Sequence, residues 1–240
     1  MLEAKSRLED FPSLAGKVYL NSAAESIPPR AVHDALQLYW QYKSLGMDVT
    51  QAFGRVELDC LDADCIISST HKWILGTHGG CVVAMPEAKA DRLTTHAGGW
   101  FHLDNAFDAD RFEQADVKSG ATSFSVGMPN FPAIYALRAG MDYIQSVGVA
   151  QIASHADPLV LQIYQGLAEL GIEPMAALNE DCMSGILAFT DDRVEQVNEV
   201  LLKDNIHVMH HAGRIRIAVH GYNTQEDVDQ LLMGLRTAMA

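Results

Sequence analysis

Along the chain the apolar positions change period, and the changes mark the elements. From residue 131 onward helical and two-residue spacings alternate: helices are predicted over 132–147 and 149–170, a strand at 172–175 and another at 185–190. A helix at 193–203, short strands at 206–209 and 214–220 and a last helix from Thr224 complete the series. Asp191 precedes one helix as its capping residue, and Thr224-Gln225-Glu226-Asp227 opens the last with a cap and an acidic first turn. Strands flanked by helices in this rhythm predict a compact α+β layer, and a segment of this length is enough for a core of its own.

The front of the chain has fewer strand signals. Apolar runs bounded by turn residues predict strands at 65–69 and 81–85, with 49–53 as a third. Two or three strands make a thin sheet. Parallel sheets are normally buried on both faces, so a sheet this narrow exposes edges that a longer chain would cover.

Charge narrows the range of partners. With 31 acidic against 17 basic residues the formal net charge is −14, which argues against long-range attraction to nucleic acid or an anionic membrane. No apolar stretch approaches the length of a membrane span, and the start, Met1-Leu2-Glu3-Ala4-Lys5, has no apolar leader pattern, so a cytoplasmic location is expected. Cys60, Cys65, Cys81 and Cys182 lack metal-type spacing and read as reduced residues packed in apolar runs. His207, His210, His211 and His220 are the one histidine group with any metal-like clustering, but no carboxylate or cysteine completes a set, and a solvated turn is expected there.

Reactive chemistry concentrates at Ser68-Ser69-Thr70-His71-Lys72-Trp73, where Cys65-Ile66-Ile67 delivers a lysine to a hydroxyl-rich turn. Taken singly, a lysine beside a tryptophan reads as a surface side chain lying over an aromatic ring. Upstream stands Asp48-Val49-Thr50-Gln51, then Phe53-Gly54-Arg55-Val56-Glu57-Leu58-Asp59 and Leu61-Asp62-Ala63-Asp64. Gly79-Gly80-Cys81-Val82-Val83-Ala84-Met85-Pro86 follows as the next strand. These motifs, in this order, resemble the cofactor site of class V aminotransferase-like enzymes (the cysteine desulfurase and isopenicillin N epimerase-like group), which use pyridoxal 5'-phosphate (PLP). The resemblance covers nearly the whole chain. Val18-Tyr19-Leu20-Asn21-Ser22-Ala23-Ala24 with Pro28-Pro29 is similar to the family's opening segment past the substrate pocket, Gly127-Met128-Pro129-Asn130-Phe131-Pro132 to its crossing into the small domain, and Gly213-Arg214-Ile215-Arg216-Ile217-Ala218 with Tyr222-Asn223-Thr224 to its arginine-bearing strand.

That resemblance implies specific roles. Lys72 would form the Schiff base with PLP and act as the catalytic base, Asp48 would face the pyridine nitrogen, and Gln51 would hydrogen-bond the phenolic oxygen. Ser69 and His71 would help hold the phosphate, Arg216 would clamp the substrate carboxylate, and Asn21 would line the substrate pocket. Trp73 is expected to pack. Where the family usually has Gly-Thr, with the threonine reaching a partner subunit's phosphate, this chain has Gly127-Met128, which cannot do that.

A large block is absent. Residues 42–47 run straight into Asp48, whereas the family carries there its phosphate-binding turn, the ring that stacks on the pyridine and several central strands. The implied fold is α/β, PLP-dependent transferase fold type I, with a remnant PLP-binding large domain over 1–130, deleted internally near 47–48, and a small α+β domain over 131–240. The loop before the arginine strand, His210-His211-Ala212-Gly213, lacks the nucleophilic cysteine of a desulfurase. Two readings follow from the resemblance. One is a PLP-dependent enzyme acting on an amino acid by epimerase, lyase or transaminase chemistry, as a homodimer; the alternative is a truncated, inactive homologue that binds a full-length partner.

Overall fold

Two three-stranded sheets organise the chain in a computed structural model that describes residues 11–15, 46–58, 63–95, 98–111, 113–179 and 183–239, with Glu9 and Arg30. Asn21 and the rest of the opening segment, Cys60 and Cys182 lie outside the described residues. The first sheet has the order β1 (Gly46–Asp48), β2 (Cys65–Ser69), β3 (Cys81–Ala84). β1 runs parallel to β2 with Asp48 opposite Ile67, and β3 returns antiparallel with Cys81 opposite Ser69. The sheet is thus mixed and short. Between β3 and residue 130 the backbone makes short 3-10 helices at Glu87–Arg92, Trp100–His102 and Gly120–Phe124.

Helices α1 (Phe131–Val147) and α2 (Val149–Glu169) then lead to the second sheet. Its strands are β4 (Ile186–Thr190), β5 (Met209–His211) and β6 (Arg214–Ala218), with α3 (Val194–Lys203) between β4 and β5 and α4 (Gln225–Met239) at the end. β6 is central and antiparallel to both neighbours. The Asn130 side chain caps α1 by accepting from Ala133 N–H at 3.2 Å, with Pro132 in the first turn where its missing N–H costs nothing. Gly148, at φ +92°, makes the tight junction from α1 to α2. At α4 the expected cap forms reciprocally: Thr224 N–H donates to the Asp227 carboxylate at 2.9 Å, and Asp227 N–H to the Thr224 hydroxyl at 3.3 Å.

Five expectations need correction, each for a local reason. Residues 49–53 form a turn rather than a strand, because the Asp48 carboxylate accepts Thr50 N–H at 2.9 Å and bends the backbone away; the strand is the preceding β1. Residues 172–175 make a single bridge, Pro174 to Phe189, since proline has no N–H to extend a ladder. Residues 206–208 close α3 instead of starting a strand: Asn205 takes φ +59° and Ile206 N–H donates to Leu201 C=O at 2.8 Å. His210 and His211 lie in β5, not in a solvated turn, and the hairpin turn is Ala212-Gly213, both at positive φ. Cys65 is buried as expected but Cys81 is exposed on the short sheet.

The main core lies between α2, α3 and α4 and the inner face of the second sheet. Val160, Leu167, Phe189, Leu201, Ile215 and Leu235 are each fully buried there. Fully burying such side chains is worth about 1.5–3 kcal/mol apiece. A smaller cluster of Ile74, Ile144 and Ile152 joins the turn after β2 to α1 and α2.

A charged side chain ties the two sheets together. Arg55 is fully buried, donates from Nε to Val219 C=O at 3.0 Å and from Nη2 to the Asp157 carboxylate at 2.6 Å. Gly185 permits the approach: a β-carbon there would stand 2.8 Å from the Trp73 ring and 2.9 Å from Arg55 Nε. Arg55→Met removes two hydrogen bonds and leaves Asp157, whose side chain is 30% exposed, without its partner, so it is expected to lower unfolding stability by about 1–3 kcal/mol. Urea unfolding of the two proteins checks this; a midpoint unchanged by the substitution would contradict it.

Candidate functional site

β2 ends in a turn held from inside. The Thr70 hydroxyl, almost fully buried, hydrogen-bonds Thr77 C=O at 2.6 Å and lies 3.1 Å from Gly80 C=O, while Gly76 N–H donates back to Thr70 C=O at 2.9 Å. The turn continues with Leu75 N–H donating to Lys72 C=O at 3.0 Å. Lys72 is therefore presented by a stiff loop rather than by a free surface segment.

On the opposing side, strand alternation places Arg216. In β6, Ile215 and Ile217 point into the main core, so Arg214, Arg216 and Ala218 occupy the other face. Lys72 and Arg216 line one cleft of about 250 Å³, with Gln51, His71, Trp73, Leu75, Ile186, Ala218, His220 and Tyr222 as its other walls. Among the described residues no carboxylate lines it. A protein with a net charge of −14 thus has a cleft whose charged lining groups are cations.

Asp48 and Ser69 stand behind this lining. Hydrogen bonds from the Thr50 side chain and backbone, and secondarily the Lys72 ammonium, hold the Asp48 carboxyl below its ordinary 3.8. Ser69 N–H donates to the Thr50 hydroxyl at 2.9 Å, which fixes that hydroxyl between the two strands. Gln51 is committed elsewhere: its Oε1 accepts the Trp73 indole N–H at 3.0 Å. His71 stacks on His78 with ring centroids 3.8 Å apart, and partial burial, then His78 and Lys72, push its pKa down. That shift favours the uncharged His71 ring. Asn21 lies outside the described residues, so the structure brings together Gln51, His71, Lys72 and Arg216 in the cleft, with Asp48 and Ser69 adjoining.

Sequence reading gave the residues of the far wall other roles, grouping His220 with the clustered histidines and placing Tyr222 only within the arginine-strand motif. His220, buried, donates from Nε2 to Trp73 C=O at 2.9 Å, while its Nδ1 accepts Gly221 N–H at 2.7 Å, which defines a neutral ring with the proton on Nε2. It lies near-parallel to Trp73 at 5.7 Å and to Tyr222 at 5.2 Å. Trp73 is packing, as expected, but it also carries the backbone carbonyl that joins the Lys72 turn to the second sheet. Arg55, His220 and Tyr222 had no spacing signal, because their partners lie far away in sequence.

Among the described residues no group of three or more His, Cys, Asp or Glu side chains is arranged to hold a metal ion, and no helix is long and apolar enough to cross a membrane.

The family model for class-V aminotransferases matches residues 44–231, and the chain belongs to that family. The uncharacterized aminotransferase YcbU of Bacillus subtilis is 28% identical over 186 residues, covering 77% of this chain and 48% of the relative. A probable cysteine desulfurase of Vibrio cholerae is 25% identical over 199 residues, with the same 77% and 48% coverage. Among solved structures, an apo cysteine desulfurase from Thermococcus onnurineus superposes with a TM-score of 0.71 at 23% identity, over 80% of this chain and 51% of its own. The cystine C-S lyase C-DES, seen with its product cysteine persulfide, gives a TM-score of 0.67 at 21% identity, over 78% and 50%. The fold is that of PLP-dependent transferases of fold type I, and the chain spans about half the length of the relatives it matches.

His220 makes stability at the site pH-dependent. Burial lowers its pKa first and Arg55 second, outweighing the Trp73 carbonyl bond that raises it, so the native ring titrates below 6.5. Between the two values the unfolded chain binds the extra proton, so stability is complete above about pH 6.5 and is lost as pH falls through the lower native value. His220→Gln should flatten this part of the stability profile, measured by denaturant unfolding from pH 7.5 to 4.5; an unchanged profile would show that other groups set it.

Proposed function

We propose that the chain is a PLP-dependent enzyme acting on an amino acid, with Lys72 as the covalent anchor of the cofactor. The observation that carries this reading is the cleft shared by Lys72 and Arg216, with no carboxylate among its described lining residues, beside an Asp48 whose ionised form is stabilised. A relative in fold supports the cofactor: a variant of the lyase C-DES has glycine covalently linked to its PLP, at a TM-score of 0.68. In this reading residues 1–130 are the remnant cofactor-binding domain and 131–240 the small domain, working as a cytoplasmic homodimer.

The residues fit the group at its ring end. An amine takes an aldehyde, a carboxylate suits a protonated pyridine nitrogen, and the Ser69 hydroxyl with the His71 imidazole supplies polar contacts for a phosphate. PLP, when bound, supplies an electron sink for the carbanion formed at the substrate α-carbon. Around it, Arg216 binds the substrate carboxylate through its planar guanidinium and so fixes which bond of the α-carbon is aligned for cleavage. Lys72 Nζ moves the α-proton, the step common to epimerisation, β-elimination and transamination. Gln51 acts through Trp73, steadying the turn that holds Lys72.

A second reading has its own support. None of the described residues lining the cleft opens a helix, so the described lining holds no helix-terminal anion site for a phosphate, and the chain spans about half of its relatives. An inactive homologue that binds a full-length partner is consistent with both facts. PLP titration followed by borohydride reduction and peptide mapping separates the two. The enzyme reading expects saturable visible absorbance with the reduced label on Lys72, lost in Lys72→Ala. Weak label spread over several lysines would overturn it in favour of the second reading.

A further inference from the structure

A flat cofactor or ligand in this cleft needs a flat surface to rest on. Among the described residues four lining side chains carry rings: His71, Trp73, His220 and Tyr222. Trp73 is 7% exposed and His220 is 4% exposed, so both are sealed into the wall. His71 already has one face on His78 at 3.8 Å. Tyr222 is 67% exposed, and it ends a series in which His220 makes a near-parallel contact with each neighbour, 20° to Trp73 and 5° to Tyr222.

The series is firmly backed. His220 is fixed at both nitrogens, by Trp73 C=O and Gly221 N–H, and Trp73 is fixed at its indole by Gln51. Asn223, next to Tyr222, receives His220 N–H on its side-chain oxygen at 2.9 Å, and its own carbonyl is 2.8 Å from His155 Nε2. Short bonds on both sides therefore restrain the backbone that carries Tyr222. An aromatic side chain held this way loses little further freedom when a second ring stacks on it.

We propose that Tyr222 is the stacking platform of the cleft for a planar pyridine-type ring anchored at Lys72, with His220 and Trp73 as its backing. This rests on the cofactor reading above and assigns the ring contact to the second sheet's side of the cleft. The platform works by ring contact, so phenylalanine serves as well as tyrosine, and an aliphatic side chain does not.

The test uses the full chain as wild type and as Tyr222→Phe, Tyr222→Ala, Tyr222→Leu and His71→Ala. Each is titrated with PLP and with pyridoxine 5'-phosphate, which has no aldehyde and reports non-covalent ring binding alone. The readouts are the dissociation constants, visible circular dichroism of bound PLP and the borohydride label on Lys72. Tyr222→Phe should match wild type, while Tyr222→Ala and Tyr222→Leu should weaken both ligands by about fivefold to tenfold and reduce the dichroism. Because Tyr222 is largely exposed, unfolding midpoints should be unchanged, which separates ring contact from a structural role. Wild-type affinity in Tyr222→Ala with the label still on Lys72 would overturn the platform and leave the cofactor reading standing. A loss confined to His71→Ala would overturn it equally, assigning the ring contact to His71. No saturable binding of either ligand by wild type would overturn both.

Discussion

The arrangement of the cleft depends on one buried guanidinium. Arg55 comes from the turn after β1 and reaches across to Val219 C=O and Asp157, so it fixes the distance between the sheet that presents Lys72 and the sheet that presents Arg216. Burying a charge costs free energy unless it is paired and hydrogen-bonded, and here two of its three nitrogens are satisfied while Nη1 is not. An apolar pair replacing Arg55 and Asp157 together would avoid that cost. What it would not supply is direction: the fork makes one hydrogen bond to a strand carbonyl and one to a helix carboxylate, which sets both angle and separation. Trp73, His220 and the close approach at Gly185 then follow, since all three meet on the same face as Arg55.

Periodicity made the second half of the chain legible and left the first half to motifs. The helices at Phe131–Val147, Val149–Glu169 and Val194–Lys203 and the strands at Ile186–Thr190 and Arg214–Ala218 sit within a residue or two of where apolar spacing puts them. They bury a face large enough to dictate the pattern. The misses at 49–53, 172–175 and 206–208 share a cause: a single residue, Asp48, Pro174 or Asn205, imposes a local hydrogen-bond or ring constraint that outweighs apolar character. At the site, Lys72 and Arg216 were legible because their neighbours resemble a known pattern. Arg55, His220 and Tyr222 were not, because each acts through contacts that only the folded chain creates.

Electrostatics at the cleft run against the chain as a whole. The global excess of acid repels anions at long range, but within a Debye length of about 8 Å the local groups dominate. Lys72 and Arg216 share the cleft with no carboxylate among its described lining residues, and the Asp48 carboxyl, held below its ordinary pKa, is close enough to Lys72 for the two charges to interact. A ligand with negative groups at its ends and a ring between them meets favourable charge only once it is inside. Such a cleft selects by shape and contact rather than by steering.

Half-length membership of a two-layer family poses a physical question that the two sheets answer differently. The second sheet has a closed core, with α2, α3 and α4 covering its inner face. The first has three short strands and a buried cluster of three residues, so its order derives mainly from what it touches: Ile144 and Ile152 on α1 and α2, and Arg55 on Val219 and Asp157. The Lys72 turn is therefore held by the second half of the chain as much as by its own sheet. The described contacts that position Lys72 thus lie within this chain, although it spans about half the length of its relatives.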